Sequence, residues 1–271
     1  MPKVAVREVE TKSSKQEKIQ NKNYRFKTFK TKIILMKRFK EDYKEFKIER
    51  GVFDNLTLMT IYELMNKGYI KEVVGIVKEG KESAVFLCRG QGNMAMKVYR
   101  TFAIDFKTMW QYLIGDPRFA NIKKSRIAIA YQWCLREYKN LLIASEAGVS
   151  CPKPIIAKNN VLLMEFIGND EPAPRLIDVK AKKKDYLFIL ENIEKLLKAG
   201  LVHGDLSAYN ILYHKKPVFI DFSQATTLRN KLAFDMLRRD VENINSYFNK
   251  IGIKTVDSEK LFERFVKMVE R

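Results

Sequence analysis

Cysteine is scarce in this chain of 271 residues, and Cys88, Cys134 and Cys151 are odd in number and far apart. That pattern supports neither a disulfide framework nor a zinc site, and it suits a reducing cytoplasm. Histidine is scarcer still, with only His203 and His214. His203 reads as a residue that holds a loop backbone by a hydrogen bond rather than as acid, base or metal ligand. No run of about 18 apolar residues occurs, and the N-terminus lacks a signal-peptide pattern, so membrane attachment is not expected. Internal repeats and low-complexity tracts are absent.

Positive charge, by contrast, is in excess: 51 Lys and Arg against 32 Asp and Glu give a formal charge of +19. Residues 1–40 hold 13 basic and 3 acidic residues, a net +10, so more than half of the excess lies in a short arm. Few periodic signals precede Ile33-Ile-Leu-Met, and residues 1–45 are expected to be a mobile basic arm. A basic arm is commonly a solvated tail. On a chain this basic, an RNA phosphate backbone is a reasonable partner, bound in a salt-dependent and largely sequence-blind way. Tyr24, Phe26 and Phe29 offer stacking groups. The hydrophobic content of 46% supports a globular body with one generous core or two small lobes.

The most informative stretch is 203–221, which reads His-Gly-Asp-Leu-Ser-Ala-Tyr-Asn, an apolar run, a turn, and Val-Phe-Ile-Asp. Asp205 and Asn210 have the spacing of a kinase catalytic loop, in which the Asp orients the substrate hydroxyl and the Asn ligates magnesium. Ile211-Leu-Tyr and Val218-Phe-Ile flank a turn-prone His-Lys-Lys-Pro, a hairpin pattern that puts Asp221 at a strand end. Magnesium takes one or two oxygen ligands from protein, so Asn210 and Asp221 suffice. With an ordinary pKa of about 3.9, Asp205 would mainly align the hydroxyl and take its proton late.

Such an enzyme needs a cation on a strand and a helical carboxylate to hold it. Met94-Ala-Met-Lys-Val-Tyr is an apolar strand carrying Lys97, whose other reading is an edge-strand solubiliser. Residues 126–147 repeat Ile127, Tyr131, Cys134, Tyr138, Leu141 and Leu142 at helical spacing, with Gly148 as the terminating residue and Glu137 beside the stripe. Gly75 to Lys81 has most of a Walker A motif, but Glu82 stands where Ser or Thr should bind magnesium and a strand follows. Residues 73–88 are therefore expected to form a strand-turn-strand clamp over the nucleotide, with Gly80, Ser83 and Val85 in the ATP site. Residues 161–168 have the form of a nucleotide hinge, using the backbone of Glu165 and Ile167. Further helices are expected over 56–65, 179–199, 233–250 and 258–270.

From Val52 onward these segments resemble the RIO-type atypical protein kinases, and Asp205-Leu-Ser-Ala-Tyr-Asn with Asp221-Phe-Ser-Gln is most similar to the first RIO subfamily. Gly80-Lys-Glu, Lys97-Val-Tyr-Arg, Glu137-Tyr-Lys-Asn-Leu and Gly148-Val-Ser-Cys-Pro-Lys-Pro add to the resemblance. It implies an α+β, two-lobed kinase-like fold: a small antiparallel-sheet N-lobe at 46–167 and a reduced helical C-lobe at 168–271. The C-lobe would lack the activation segment and peptide-binding subdomain; no Ala-Pro-Glu follows Asp221, and only 50 residues remain.

By the same resemblance, Lys97 would sit on the phosphates, Glu137 would pair with it, Asp205 would be catalytic, and Asn210 and Asp221 would bind Mg2+ or Mn2+. Asp221 would itself take up phosphate transiently. ATP would be the substrate, and precursors of the small ribosomal subunit with their RNA would be partners, in the cytoplasm. Residues 101–125 correspond to the family's flexible loop, making Ser125 and then Thr108 the expected autophosphorylation sites. This chain departs from the subfamily at Lys78-Glu79, where Ser-Thr is usual, and at Gly204, where alanine is usual. Two rivals share parts of the pattern: a small-molecule phosphotransferase of the aminoglycoside or choline kinase type, and a non-catalytic RNA-binding scaffold.

Overall fold

The computed structural model describes residues 54–101 and 125–270. Helix α1 (Asn55–Asn66) begins at Asp54, whose carboxylate accepts from the Thr57 N–H at 2.6 Å. Gly68 closes this segment at φ +79, a left-handed conformation that costs glycine little. The chain then forms β1 (Glu72–Glu79), β2 (Ser83–Gly90) and β3 (Gly92–Tyr99). Strands β4 (Pro154–Lys158) and β5 (Val161–Glu165) complete an antiparallel sheet in the order β1-β2-β3-β5-β4.

Strand β3 lies at the centre of this sheet, and Lys97 stands opposite Val85 on one side and Leu162 on the other. The edge-strand reading of Lys97 is thereby corrected: the side chain is buried. Before β4 comes α2 (Arg126–Glu146), capped by Ser125 and followed by Gly148 at φ +72. Its buried face also differs from the expected stripe. Ile129, Ala130, Trp133, Cys134, Glu137, Leu141 and Ala144 are buried, whereas Ile127 is exposed. The helix meets both the sheet and the segment after Asp221, so a wider arc of it leaves solvent, including three polar residues.

A 3-10 turn (Leu176–Asp178) leads to α3 (Lys183–Lys198). This helix starts later than its apolar pattern suggests, because the Asp185 carboxylate accepts from the Lys182 N–H at 2.8 Å and fixes the first turn there. Strand β6 (Leu201–Val202) is followed by the hairpin β7 (Ile211–His214) and β8 (Lys216–Phe219); β9 (Thr226–Thr227) then pairs with β6. Helices α4 (Ala233–Lys250) and α5 (Ser258–Val269) end the described chain. One continuous core runs from Leu87 and Ala95 through Trp133 and Leu162 to Phe222, Phe248 and Phe265. Each such large side chain contributes about 1.5–3 kcal/mol by leaving water. No helix among the described residues is long and apolar enough to cross a membrane.

Candidate active site

Lys97 is delivered to the site by the central strand, and α2 delivers Glu137 to meet it. The ammonium lies 3.0 Å from Glu137 Oε1 and 2.9 Å from Oε2, and 3.0 Å from Asp221 Oδ1. Tyr99, two residues along the same strand, donates its hydroxyl to Glu137 Oε2. Burial works against the Lys97 charge, but Asp221 and Glu137 more than offset it and hold the ammonium protonated. Burial likewise raises the Glu137 pKa against the pull of Lys97. For Asp221, burial is overcome by the Lys97 ammonium and the Ser223 hydroxyl, which keep the carboxyl well below the usual range.

Asp221 follows the hairpin at φ +66, a left-handed conformation that costs a residue with a side chain about 1–2 kcal/mol. Two bonds impose it. The preceding Ile220 donates its N–H to the Asn210 carbonyl at 2.9 Å, and its own carbonyl accepts from His203 Nε2 at 3.1 Å. Burial lowers the His203 pKa to about 4, so the ring is neutral and acts on backbone. Asn210, just before the first strand of the hairpin, donates Nδ2 to the Asp205 carbonyl and carboxylate at 2.8 and 2.9 Å. Burial and the nearby Asp221 charge raise the Asp205 pKa, making it a better base than a free aspartate.

Lys97, Glu137 and Asp221 line a cleft of about 610 Å³ together with Gly80, Ser83, Val85, Glu165 and Ile167 among others. Gly80 makes the tight turn of the clamp: its N–H donates to the Ser83 carbonyl at 2.9 Å, and a Cβ would meet that oxygen at 3.2 Å. At the hinge, the Ile167 carbonyl is taken by Ala173 N–H and the Glu165 N–H by the Lys153 carbonyl. Ile167 itself lines the cleft.

A RIO domain model matches residues 79–261. The chain belongs to the RIO domain family. It is 40% identical over 229 residues to the RIO-type serine/threonine-protein kinase Rio1 of Haloferax volcanii, covering 82% of this chain and 79% of that one. To the protein of the same name from Methanocaldococcus jannaschii it is 44% identical over 220 residues, covering 79% and 74%. The human serine/threonine-protein kinase RIO1 is 33% identical over 224 residues, 78% of this chain and 39% of that one. In fold it is similar to the Rio2 kinase–ADP/Mg2+–phosphoaspartate complex from Chaetomium thermophilum, at TM-score 0.60 and 18% identity, covering 81% of this chain and 75% of that chain. The chain is therefore an atypical serine/threonine protein kinase of the first RIO subfamily.

Within this RIO kinase, the sequence reading passed over the residues that hold the loops. Arg136 donates to the carbonyls of Gln224 and Ala225, and Asn140 donates to those of Phe222 and Ala225 at 2.9 and 2.7 Å. One helix thus fixes both Lys97, through Glu137, and the turn behind Asp221. Asp240 on α4 accepts from the backbone N–H groups of Gly204 and Leu206, both at 2.7 Å, and so clasps the loop on either side of Asp205. The signal was present in both cases: Asn140 and Asp240 fall on the apolar faces of their helices, where an unpaired polar group is costly.

The two departures also have structural correlates. Lys78 lines the cleft while Glu79 pairs with Arg100. Gly204 has φ +80, with the tip of Met236 where a Cβ would stand. Ser125 accepts from the Ala128 N–H at 3.2 Å as the cap of α2, and Thr108 lies outside the described residues. Because Tyr99 is the hydroxyl donor on Glu137, Tyr99→Phe is expected to lower unfolding free energy by about 1.5–3 kcal/mol. Urea denaturation checks this, with a parallel rise in KM for ATP; an unchanged midpoint would remove the tyrosine from the network.

Proposed function

We propose that this RIO kinase transfers phosphate from ATP in a magnesium-dependent reaction, to a serine of its own chain or to water, during maturation of the small ribosomal subunit. The observation that carries the reading is the Lys97 ammonium held within 3.0 Å of both Glu137 and Asp221, with Asp205, bonded to Asn210, near enough to Asp221 to feel its charge. Lys97 would bind the phosphates, and the hinge N–H of Ile167 would meet the adenine ring. Asp205 would align the acceptor hydroxyl. Residues 46–167 and 168–271 would act as the two lobes around the nucleotide.

The donor set fits Mg2+ or Mn2+. Asn210 uses its amide N–H on Asp205, which leaves its oxygen available, and Asp221 engages Lys97 and Ser223 through Oδ1, which leaves Oδ2. Among the described residues no cluster of three or more His, Cys, Asp or Glu could hold a metal alone. Two protein oxygens completed by phosphates and water are the arrangement magnesium favours. A bound metal would neutralise charge developing on the transferred phosphoryl group. Asp221 Oδ2 is also the natural acceptor for a transient acyl phosphate, as in the phosphoaspartate complex of the Rio2 kinase. The three cysteines are unpaired, as a reducing cytoplasm would keep them.

Incubation with radiolabelled ATP and Mg2+ tests the reading. An acid-stable label is expected within residues 101–125, foremost at Ser125, and a hydroxylamine-labile label at Asp221; chelation by EDTA removes both. Mass spectrometry that finds no phosphate within 101–125 would sink the autophosphorylation assignment. Co-sedimentation with small-subunit precursor particles tests the ribosomal role separately.

A further inference from the structure

Arg89, Lys158, Lys195, Arg238 and Arg264 each pair with a glutamate. One region concentrates exposed lysines. Lys180, Lys182, Lys183 and Lys184 crowd the start of α3, all exposed, and none makes an ion pair among the described residues. A helix N-terminus carries partial positive charge, so four lysines there oppose both one another and the helix dipole. Asp185, within the same run, does not relieve this: it is buried and committed to the Lys182 N–H and the Tyr213 hydroxyl.

The β7–β8 hairpin extends the same surface. The Tyr213 hydroxyl reaches Asp185 at 3.3 Å, and the Lys216 ammonium lies 5.5 Å from the centre of the Phe188 ring on α3. The tip of the hairpin is therefore packed on the first turns of the helix, and it carries Lys215 and Lys216, both exposed and without a carboxylate partner among the described residues. Lys215 adopts φ +62, which turns the tip tightly. Lys183 differs from its neighbours in being tied down, against the Tyr186 ring and the Lys254 carbonyl. Six lysines thus gather at the start of α3 and at the hairpin tip packed on it, with no carboxylate paired to any of them among the described residues.

We propose that this surface, the start of α3 with the hairpin tip, docks the phosphate backbone of RNA. Lysines are compact, strongly hydrated point charges, suited to phosphates at irregular positions rather than to one planar carboxylate. A long polyanion can reach all of them at once, whereas an acidic peptide loop reaches few. The hairpin that would touch RNA at its tip carries Asn210 and Asp221 at its other end, so the bound backbone sits on the element that positions both proposed metal ligands. The inference deepens the proposed ribosomal role without depending on the chemistry at Asp205.

The test uses the full chain, its basic arm included, and a fluorescent single-stranded RNA of about 20 nucleotides. Affinity is measured against salt for wild type and for Lys182→Gln, Lys184→Gln, Lys215→Gln and Lys216→Gln combined. Lys183 is left intact because it packs on Tyr186. Each phosphate contact contributes about 0.7 to the slope of log K against log[salt], so the slope is expected to fall by about 3. Self-labelling with ATP in the absence of RNA should stay at the wild-type level, which separates failure here from failure of the kinase reading. A slope equal to wild type would mean that the arm alone binds RNA and would overturn the proposal. Polyglutamate competing as well as RNA per unit charge would also overturn it, in favour of an acidic protein partner.

Discussion

Asp205→Asn is expected to lower the rate of phosphoryl transfer by about 10²–10⁴ while leaving the dissociation constant for ATP nearly unchanged. The substitution keeps the shape of the side chain and its proximity to Asn210, which approaches Asp205 at 2.8 and 2.9 Å. It removes the carboxylate that would accept a hydrogen bond from the incoming hydroxyl. Lys97, Glu137 and Asp221, which would hold the nucleotide, are untouched, so the loss should fall on kcat rather than on binding. Single-turnover labelling alongside equilibrium ATP binding checks both halves. A rate within about twofold of wild type would remove Asp205 from the chemistry, and a parallel loss of ATP affinity would reassign it to nucleotide binding.

Asp240→Asn is the second large effect, and it acts at a residue that would touch neither ATP nor acceptor. The carboxylate receives two buried backbone N–H groups, from Gly204 and Leu206. An amide offers only one acceptor, so one of the two donors would face an NH2 group and go unsatisfied, at about 1–3 kcal/mol. The slack appears on both sides of Asp205, and misplacement of about 1 Å costs on the order of 10²-fold in rate. A drop in kcat of that size with a modest loss of stability is expected, and kcat unchanged would show that the loop holds its shape without the clasp.

The pH dependence of stability gives an independent check. Burial raises the Asp240 pKa to about 7, against 3.8 for the exposed group, despite the two N–H donors. Between those values the folded chain binds a proton that the unfolded chain has released. The contribution of this residue to stability therefore falls as pH rises from about 4 to about 7. Asp221 has the opposite sign, because its folded pKa is depressed; it stabilises above about 4, the ordinary carboxylate range, and that contribution is lost as the medium is acidified further. Denaturation midpoints measured at about pH 5 and about pH 8 should differ less in the Asp240→Asn variant in the direction Asp240 dictates. An identical pH response in both proteins would place the Asp240 pKa near its ordinary value.

The candidate chemistry-bearing residues are legible in the sequence. Asp205, Asn210 and Asp221 sit within one short stretch, and their spacing is dictated by a loop and a hairpin whose apolar alternation and turn residues are local. Lys97 was visible as a lone cation in an apolar strand, and the limits of α1, α4 and α5 followed from caps and periodicity. Tertiary structure alone decided which neutral or charged side chains would leave water. Lys97 became central rather than marginal because β5, some sixty residues later, pairs along its free edge. Arg136, Asn140 and Asp240 became backbone clasps because carbonyls and N–H groups more than 30 residues away came to lie against them. Such pairings are only half announced by periodicity: a polar residue on an apolar helix face needs a partner, and its position does not say which. They are fixed by the requirement that every buried donor and acceptor be satisfied, and only the packed chain shows where those groups are.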